Sequence, residues 1–421
     1  MAAAPQQPSI LSFEDAWRVV EDHASRLRPR GKELVGILDS AGRVLAEPIA
    51  ADRDFPAFRR AARDGYAVRA VDLATVPAAL RVIGEVRAGA APSQQLEVGP
   101  GEAAAIMTGA PAPPGADAVV MVEYTTLHGD QVEITRGVEA GANIVPAGAE
   151  AKRGERLLSP GVRVEHTAIA LAASVGRTHL LVYARPRVAV LATGDELVDI
   201  AVFPGPNQIR NSNTYSLAAQ IQAAGGEPVL LPIAPDEPQR LRELIADGFE
   251  SELLLLAGGV SMGKYDLVEQ VLAELGAEFL FTGARIQPGQ PIVFGRCGAG
   301  APSREKAGVG NYFFGLPGNP ISTMVTFELF ARPVLEALAG MFSRKLVFLH
   351  AKLKVEIKTR TGLKRFLPGI VSGEFEHAEV ELARWQGSGD IAAAARAKCY
   401  VVVPPDRDRI PAGEWVAVLM R

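Results

Sequence analysis

Three stretches of this chain place glycines and polar side chains where a phosphate or another oxyanion could be held. They are LATGDE at 191–196, AGGVSMGKYD at 257–266 and LPGNPIS at 316–322. Glycine lets a ligand approach the backbone closely, and a following helix N-terminus offers free N–H groups and the positive end of its dipole. Thr193, Gly194, Gly258, Gly259, Ser261, Asn319 and Ser322 are therefore candidate binding residues. Asp195, Glu196, Asp236 and Asp266 add carboxylates to the same region. Carboxylates beside a phosphate suit Mg²⁺, which binds through one or two of them plus phosphate oxygens. Asp236 and Asp266 equally suit helix caps. DGYA at 64–67 and IMTGAP at 106–111 each set a polar side chain, Asp64 or Thr108, against a glycine turn.

These segments need a scaffold. The spacing predicts strands over 187–191, 227–232, 253–257, 292–295 and 312–316, alternating with helices over 214–224, 237–246, 265–275 and 320–338. That rhythm predicts a three-layer α/β domain. The wholly apolar run 253–257 reads as a strand covered on both faces of a parallel sheet. Ligands of such sheets bind beyond the carboxyl ends of the strands, where the three glycine stretches fall. Residues 296–311 read as a loose hairpin tip.

Residues 12–28 read as an amphipathic helix opened by Ser12 and Asp15. Short β runs at 80–86, 103–107, 118–122 and 131–135, parted by Gly and Pro, predict an all-β module. A helix over 166–174 follows, stopped by Gly176. The tail is strand-rich at 346–357, 379–384, 400–403 and 415–419, as in a small barrel-like β domain. The expected division is a discontinuous helical/β linker domain at 10–49 and 151–185, an inserted β module at 50–150, the α/β domain at 186–338 and a C-terminal β domain at 339–421.

With 421 residues, the chain is long enough for several domains, and 48% of it is hydrophobic. Forty-four basic residues against 48 acidic ones argue against a general nucleic-acid binder, and 6% aromatics against base-stacking platforms. Cys297 and Cys399 form no CxxC pair and the six histidines no HxxxH pair, which points away from zinc. The start shows neither a basic nor an apolar leader region, and no apolar run nears the ~20 residues a bilayer requires. A reducing cytoplasm is the expected location.

Seven motifs then occur in order: DGYAV at 64–68, IMTGAP at 106–111, GANI at 141–144, ATGDEL at 192–197, GGVSMGKYD at 258–266, QPGQP at 287–291 and LPGNPIS at 316–322. Together they resemble the molybdopterin molybdenumtransferase family, which includes bacterial enzymes of molybdenum cofactor synthesis and the E domain of gephyrin. The resemblance covers nearly the whole chain. It implies an elongated four-domain homodimer whose α/β domain binds adenylylated molybdopterin. The active cleft would be completed by the partner's β module. The reaction would convert adenylyl-molybdopterin and molybdate into molybdenum cofactor and AMP with Mg²⁺.

Carried onto this chain, the resemblance implies Asp64 and Thr108 from one subunit, and Glu196, Asp236 and Asp266, the metal set, from the other. Gly258, Gly259 and Ser261 would line the pterin phosphate and nucleotide. Gln287, Gln290, Pro291, Ser322, Arg365 and Ser388 would form the molybdate pocket. The chain departs from the family pattern in three places. Ala61-Ala62-Arg63 replaces Ser-Ala-Met, Glu150 stands where the pattern has Asp, and Gln287 and Gln290 replace lysines. Glu150 keeps a catalytic carboxylate one methylene longer. The glutamines donate hydrogen bonds without charge, and Arg285 and Lys264 are the cations available to replace it. Competing readings are the adenylyltransferase of the same pathway, which is also a candidate partner, a tungsten-inserting paralogue and a non-catalytic scaffold.

Overall fold

The computed structural model describes residues 9–89, 96–259, 267–297, 311–342, 345–374 and 376–420. Ser261, Lys264 and Asp266, and most of the stretch expected to form the hairpin tip, lie outside them.

Six strands form the central sheet in the order Glu227–Leu230, Arg187–Ala192, Leu253–Ala257, Asn311–Leu316, Val293–Cys297, Ala277–Phe281. The first four are parallel, Val293–Cys297 runs antiparallel to them, and the edge strand Ala277–Phe281 runs antiparallel to Val293–Cys297. Side chains alternate between faces along a strand. Val188, Val190, Leu253 and Leu255 accordingly enter one core, and Ala189, Leu191, Leu254 and Leu256 the opposite one. Both faces are thus covered, which explains the uninterrupted apolar run of Leu253–Ala257. The helix opening at Pro320 continues to Leu338 through a π-helical turn at Phe327–Ala331.

The helix Phe13–Ala24 begins at Ser12, whose hydroxyl accepts the Asp15 N–H at 3.1 Å. Its buried stripe, Phe13, Ala16, Val20 and Ala24, joins the core of the α/β domain and packs on the helix Arg332–Leu338. This N-terminal helix therefore fastens the linker region to the α/β domain. Around the module, chain segments distant in sequence pair with each other: Lys32–Gly36 with His179–Tyr183, and Ile49–Ala50 with Arg156–Leu158. The module itself is a six-stranded sheet in the order Ala118–Met121, Gly65–Val68, Glu102–Ile106, Ala78–Val86, Gln131–Ile134, Thr125–His128.

Five C-terminal strands close into a barrel: Lys364–Ser372, Glu379–Leu382, Phe348–Leu353, Trp415–Met420 and Cys399–Val403, the last pairing back to the first. The nine-residue strand Lys364–Ser372 is absent from the sequence expectation because Pro368-Gly369 interrupts it. In the barrel Gly369 lies where a Cβ would meet Val401 at 2.8 Å and Cys399 Sγ at 3.0 Å, so closure leaves no room for a side chain. Ile286–Gln287 of the α/β domain adds to this strand in parallel, opposite Lys364 and Arg365.

Candidate functional site

The register sets Ala192, Ala257 and Leu316 side by side, so three strands end at one level. The chain then turns through Thr193-Gly194, Gly258-Gly259 and Pro317-Gly318. Thr193 N–H donates to Ala257 O at 3.2 Å and Gly258 N–H to Leu316 O at 3.1 Å, which locks the turns together. Gly258 has φ +99°, and a Cβ there would stand 2.7 Å from Thr193 O. Only glycine fits, because both the backbone conformation and the contact exclude a side chain. Asn213 Nδ2 donates to Gly318 O at 2.7 Å. Among the described residues, Thr193 Oγ1 and Asn213 Oδ1 are buried without a partner. Orphaned buried polar atoms are rare in folded chains, and here two sit at the strand ends. They give the cleft two polar groups for a ligand. Asn213 was not anticipated from sequence; the polar run 211–214 directly before a helix was the available signal.

Asp195, Glu196 and Asp236 gather at the same edge. Asp236 N–H donates to Asp195 Oδ1 at 3.2 Å. Burial first, then the negative charges of Asp195 and Glu196, raise the Asp236 carboxyl above its ordinary range. An all-oxygen donor set carrying unrelieved negative charge fits a hard cation such as Mg²⁺. Among the described residues no three acidic, His or Cys side chains close up on one point, and the expected third carboxylate, Asp266, lies outside them.

A cavity of about 480 Å³ opens where the α/β domain meets the barrel. Gln287, Gln290, Pro291, Asn319, Ser322 and Ser388 all line it, with Leu363, Trp385 and Gly387. The last three were not anticipated; one of only three tryptophans falling in a Gly-rich stretch was the signal missed. Ile321 N–H donates to Ser388 O at 2.9 Å, tying the helix start to the barrel. Arg365 is 6% exposed and stands behind the wall. Its Nε donates to Gln287 Oε1 at 2.8 Å and its Nη1 to Leu363 O at 3.0 Å. Burial pushes its pKa down, and among the described residues it makes no ion pair. Arg365 is not among the lining residues but holds one of them, Gln287. Arg285 is not among them either.

The β module presents a third group. Asp64 Oδ1 accepts from Thr108 N–H at 2.6 Å and from Thr108 Oγ1 at 2.8 Å. These two bonds draw the Asp64 carboxyl below its usual range. Glu150 pairs with Arg60 at 2.6 Å on the same module. Among the described residues, no hydrogen bond, ion pair or strand pairing joins the Asp64–Thr108 turn to the α/β domain of its own chain.

Residues 11–176 match the family described as MoeA N-terminal region (domain I and II), 189–337 the Probable molybdopterin binding domain, and 350–420 the MoeA C-terminal region (domain IV). A relative from Nostoc sp. named molybdopterin molybdenumtransferase is 34% identical, over 92% of this chain and 88% of its own. The chain belongs to the molybdopterin molybdenumtransferase family. A relative from Bacillus subtilis bearing the same name is 32% identical over 92% of this chain and 89% of its own. Two crystal structures of Pyrococcus horikoshii molybdopterin biosynthesis proteins superpose with TM-scores of 0.69 and 0.73, at 32% and 26% identity. Both cover 98% of this chain, and 99% and 100% of their own. The family match runs through the linker, module and C-terminal regions as well as the α/β domain. The adenylyltransferase, tungsten and scaffold alternatives are therefore not favoured. Among the described residues no helix is long and apolar enough to cross a membrane.

Proposed function

We propose that this chain transfers molybdenum from molybdate to adenylylated molybdopterin, releasing molybdenum cofactor and AMP, in a cytoplasmic homodimer. The observation that carries the site assignment is the position of Gly318 and Asn319. A Cβ on Gly318 would lie 3.5 Å from Gly258 Cα, in the strand-end cleft, while the next residue, Asn319, lines the cavity. One chain segment thus separates a glycine-lined phosphate cleft from an amide- and hydroxyl-lined oxyanion cavity. A substrate holding its phosphates in the first brings its other end to the second.

In this reading Thr193 Oγ1 and Gly259 N–H, with Ser261, donate to the nucleotide and pterin phosphate, Gly194 and Gly258 leave room for its close approach, and Asn213 Oδ1 accepts from an N–H or O–H of the substrate. Gln287, Gln290, Asn319, Ser322 and Ser388 donate to molybdate. Neutral donors position an oxyanion but attract it less than a lysine would. Glu196 and Asp236, with Asp266, would hold Mg²⁺, which when bound neutralises phosphate oxygens during anhydride cleavage. Asp64, held ionised by Thr108, acts from the partner's module, since among the described residues no hydrogen bond or ion pair joins its turn to the α/β domain of its own chain, and Glu150 adds the module's second carboxylate. The dithiolene sulfurs belong to the substrate, so the buried Cys297 and Cys399 have no part in the chemistry.

Purified protein given adenylyl-molybdopterin should release AMP in proportion to molybdate. Release that ignores molybdate, or ATP consumption with molybdopterin in its absence, would defeat this reading.

A further inference from the structure

We propose that Arg63 of one protomer enters the other protomer's strand-end cleft and stabilises the phosphoanhydride oxygens of the substrate as the bond breaks. The inference rests on the shared-site reading above and adds a catalytic cation to it.

The module's arginines near Asp64 are not equivalent. Arg60 pairs with Glu150, Arg59 donates to Ala116 O at 3.2 Å, and Arg69 faces Asp72 at 3.9 Å. Arg63 is exposed, and among the described residues its side chain has neither a hydrogen bond nor an ion pair. It does not compensate its neighbour either. Asp64 owes its lowered pKa to Thr108, and no arginine contributes. A guanidinium therefore projects, uncommitted, from the turn that carries the module's acid.

Among the described residues the receiving cleft carries no such group. Its described residues are Thr193, Gly194, Asn213, Gly258, Gly259 and Gly318, edged by Asp195, Glu196 and Asp236. Asp236 N–H donates to Asp195 Oδ1 at 3.2 Å, which sets these two carboxylate residues side by side at its edge. A phosphoanhydride adds more negative charge. Facing surfaces of opposite charge favour one docking over others. Apolar rims support the same pairing. Met107, adjoining Thr108, and Val122, whose N–H donates to Asp64 O at 3.1 Å, are each 52% exposed. On the other half-site, Phe203 is 87% and Ile209 58% exposed, the latter donating its N–H to Glu196 O at 2.8 Å. Exposed apolar residues beside two incomplete half-sites mark a contact face, and a second copy of this chain supplies both.

Whether molybdate or water provides the attacking oxygen, that oxygen bonds to one phosphorus. The bond from that phosphorus to the bridging oxygen breaks, and the bridging oxygen keeps the electron pair on the other phosphate. Any proton of an attacking water passes to solvent. Negative charge grows on the bridging and non-bridging oxygens, where a planar guanidinium donating two N–H groups acts best.

The test uses the full-length dimer and molybdate-dependent AMP release. Arg63→Ala should lower kcat by roughly 100- to 1,000-fold, with a smaller change in KM for adenylyl-molybdopterin and an unchanged melting temperature. Arg63→Lys should recover part of the rate. Mixing Arg63→Ala with Asp236→Asn subunits should restore activity, since each heterodimer holds one cleft with intact carboxylates facing an intact Arg63. Asp64→Asn mixed with Asp236→Asn is the control. Wild-type turnover by Arg63→Ala overturns the proposal. So does failed restoration when the control mixture recovers, because Arg63 would then act within its own subunit. Failure of both mixtures despite proven subunit exchange instead removes the shared site itself.

Discussion

Arg365 Nε donates a 2.8 Å hydrogen bond to Gln287 Oε1 across the parallel pairing of Ile286–Gln287 with Lys364–Arg365. A guanidinium nitrogen only donates, so the amide must turn its oxygen toward Arg365 and leave its NH₂ for the cavity that Gln287 lines. A barrel residue thereby sets the polarity of a side chain on the α/β domain. Without it the amide could present oxygen to the cavity, and an oxyanion would meet a second acceptor.

The first prediction follows from that bond. Hydrogen bonds to charged groups contribute about 1.5–3 kcal/mol, so Arg365→Ala should raise half-saturating molybdate by at least about tenfold. Because Arg365 acts through Gln287, the double variant with Gln287→Ala should stay within about threefold of the worse single variant. Molybdate titrations of AMP release decide it. Multiplying effects would mean that Arg365 touches molybdate independently.

Gln290 lines the same cavity and is half-buried, with Gly289-Gln290-Pro291 turning along the wall. Gln290→Lys adds a cation to a set of otherwise neutral donors. Charge-assisted hydrogen bonds are roughly twice as strong as neutral ones. Half-saturating molybdate should fall, and its dependence on ionic strength should steepen. An unchanged titration would place the oxyanion elsewhere.

Gly258→Ala tests the strand-end turn. The new Cβ would meet Thr193 O at 2.7 Å in a backbone conformation of φ +99°. The left-handed conformation alone costs about 1–2 kcal/mol for a non-glycine residue, and overpacking about 1–3 kcal/mol more. The strand end at Thr193 must shift, so thermal stability should fall and KM for adenylyl-molybdopterin should rise more than half-saturating molybdate does. Differential scanning calorimetry and the two titrations separate these effects.

Periodicity made the framework legible wherever one element buries both faces or one stripe. Leu253–Ala257 and His166–Ser174 fall on their expected bounds. Lys364–Ser372 was hidden because a barrel's tight closure requires the very Pro and Gly that normally end a strand. The antiparallel edge strand Ala277–Phe281 was hidden by its mixed polarity, since its burial is only partial. At the site, Gln287, Gln290 and Pro291, Asn319 and Ser322, and Ser388 come from three separate segments of the sequence yet line one cavity. What spacing could not disclose was the contact between Arg365 and Gln287, a consequence of strand register between two domains. Asn213 escaped notice because nothing in its own residue type distinguishes it from a helix cap.

The last prediction concerns pH. Burial, with Asp195 and Glu196, raises the Asp236 pKa above the unfolded value of 3.8. A carboxyl whose folded pKa is raised binds its proton more tightly when folded. Its contribution to stability is therefore full below the unfolded pKa and is lost as pH rises through the folded one. At neutral pH the ionised group then works against the fold unless a cation relieves it. Asp236→Asn should consequently raise the melting temperature at pH 7 without Mg²⁺, and the gain should vanish at low pH. The same substitution should abolish the Mg²⁺-dependent part of turnover. In the wild type, Mg²⁺-dependent activity at limiting Mg²⁺ should fall on the acid side at a higher pH than an ordinary aspartate would give, since protonation and metal compete for one carboxylate. Asp195→Asn removes one of the raising charges and should move that acid limb to lower pH. Melting curves across pH, with and without Mg²⁺, and the pH–rate profiles of the three proteins check both parts. A melting temperature lowered by Asp236→Asn at pH 7, or an acid limb indifferent to Asp195, would separate this carboxylate cluster from the metal.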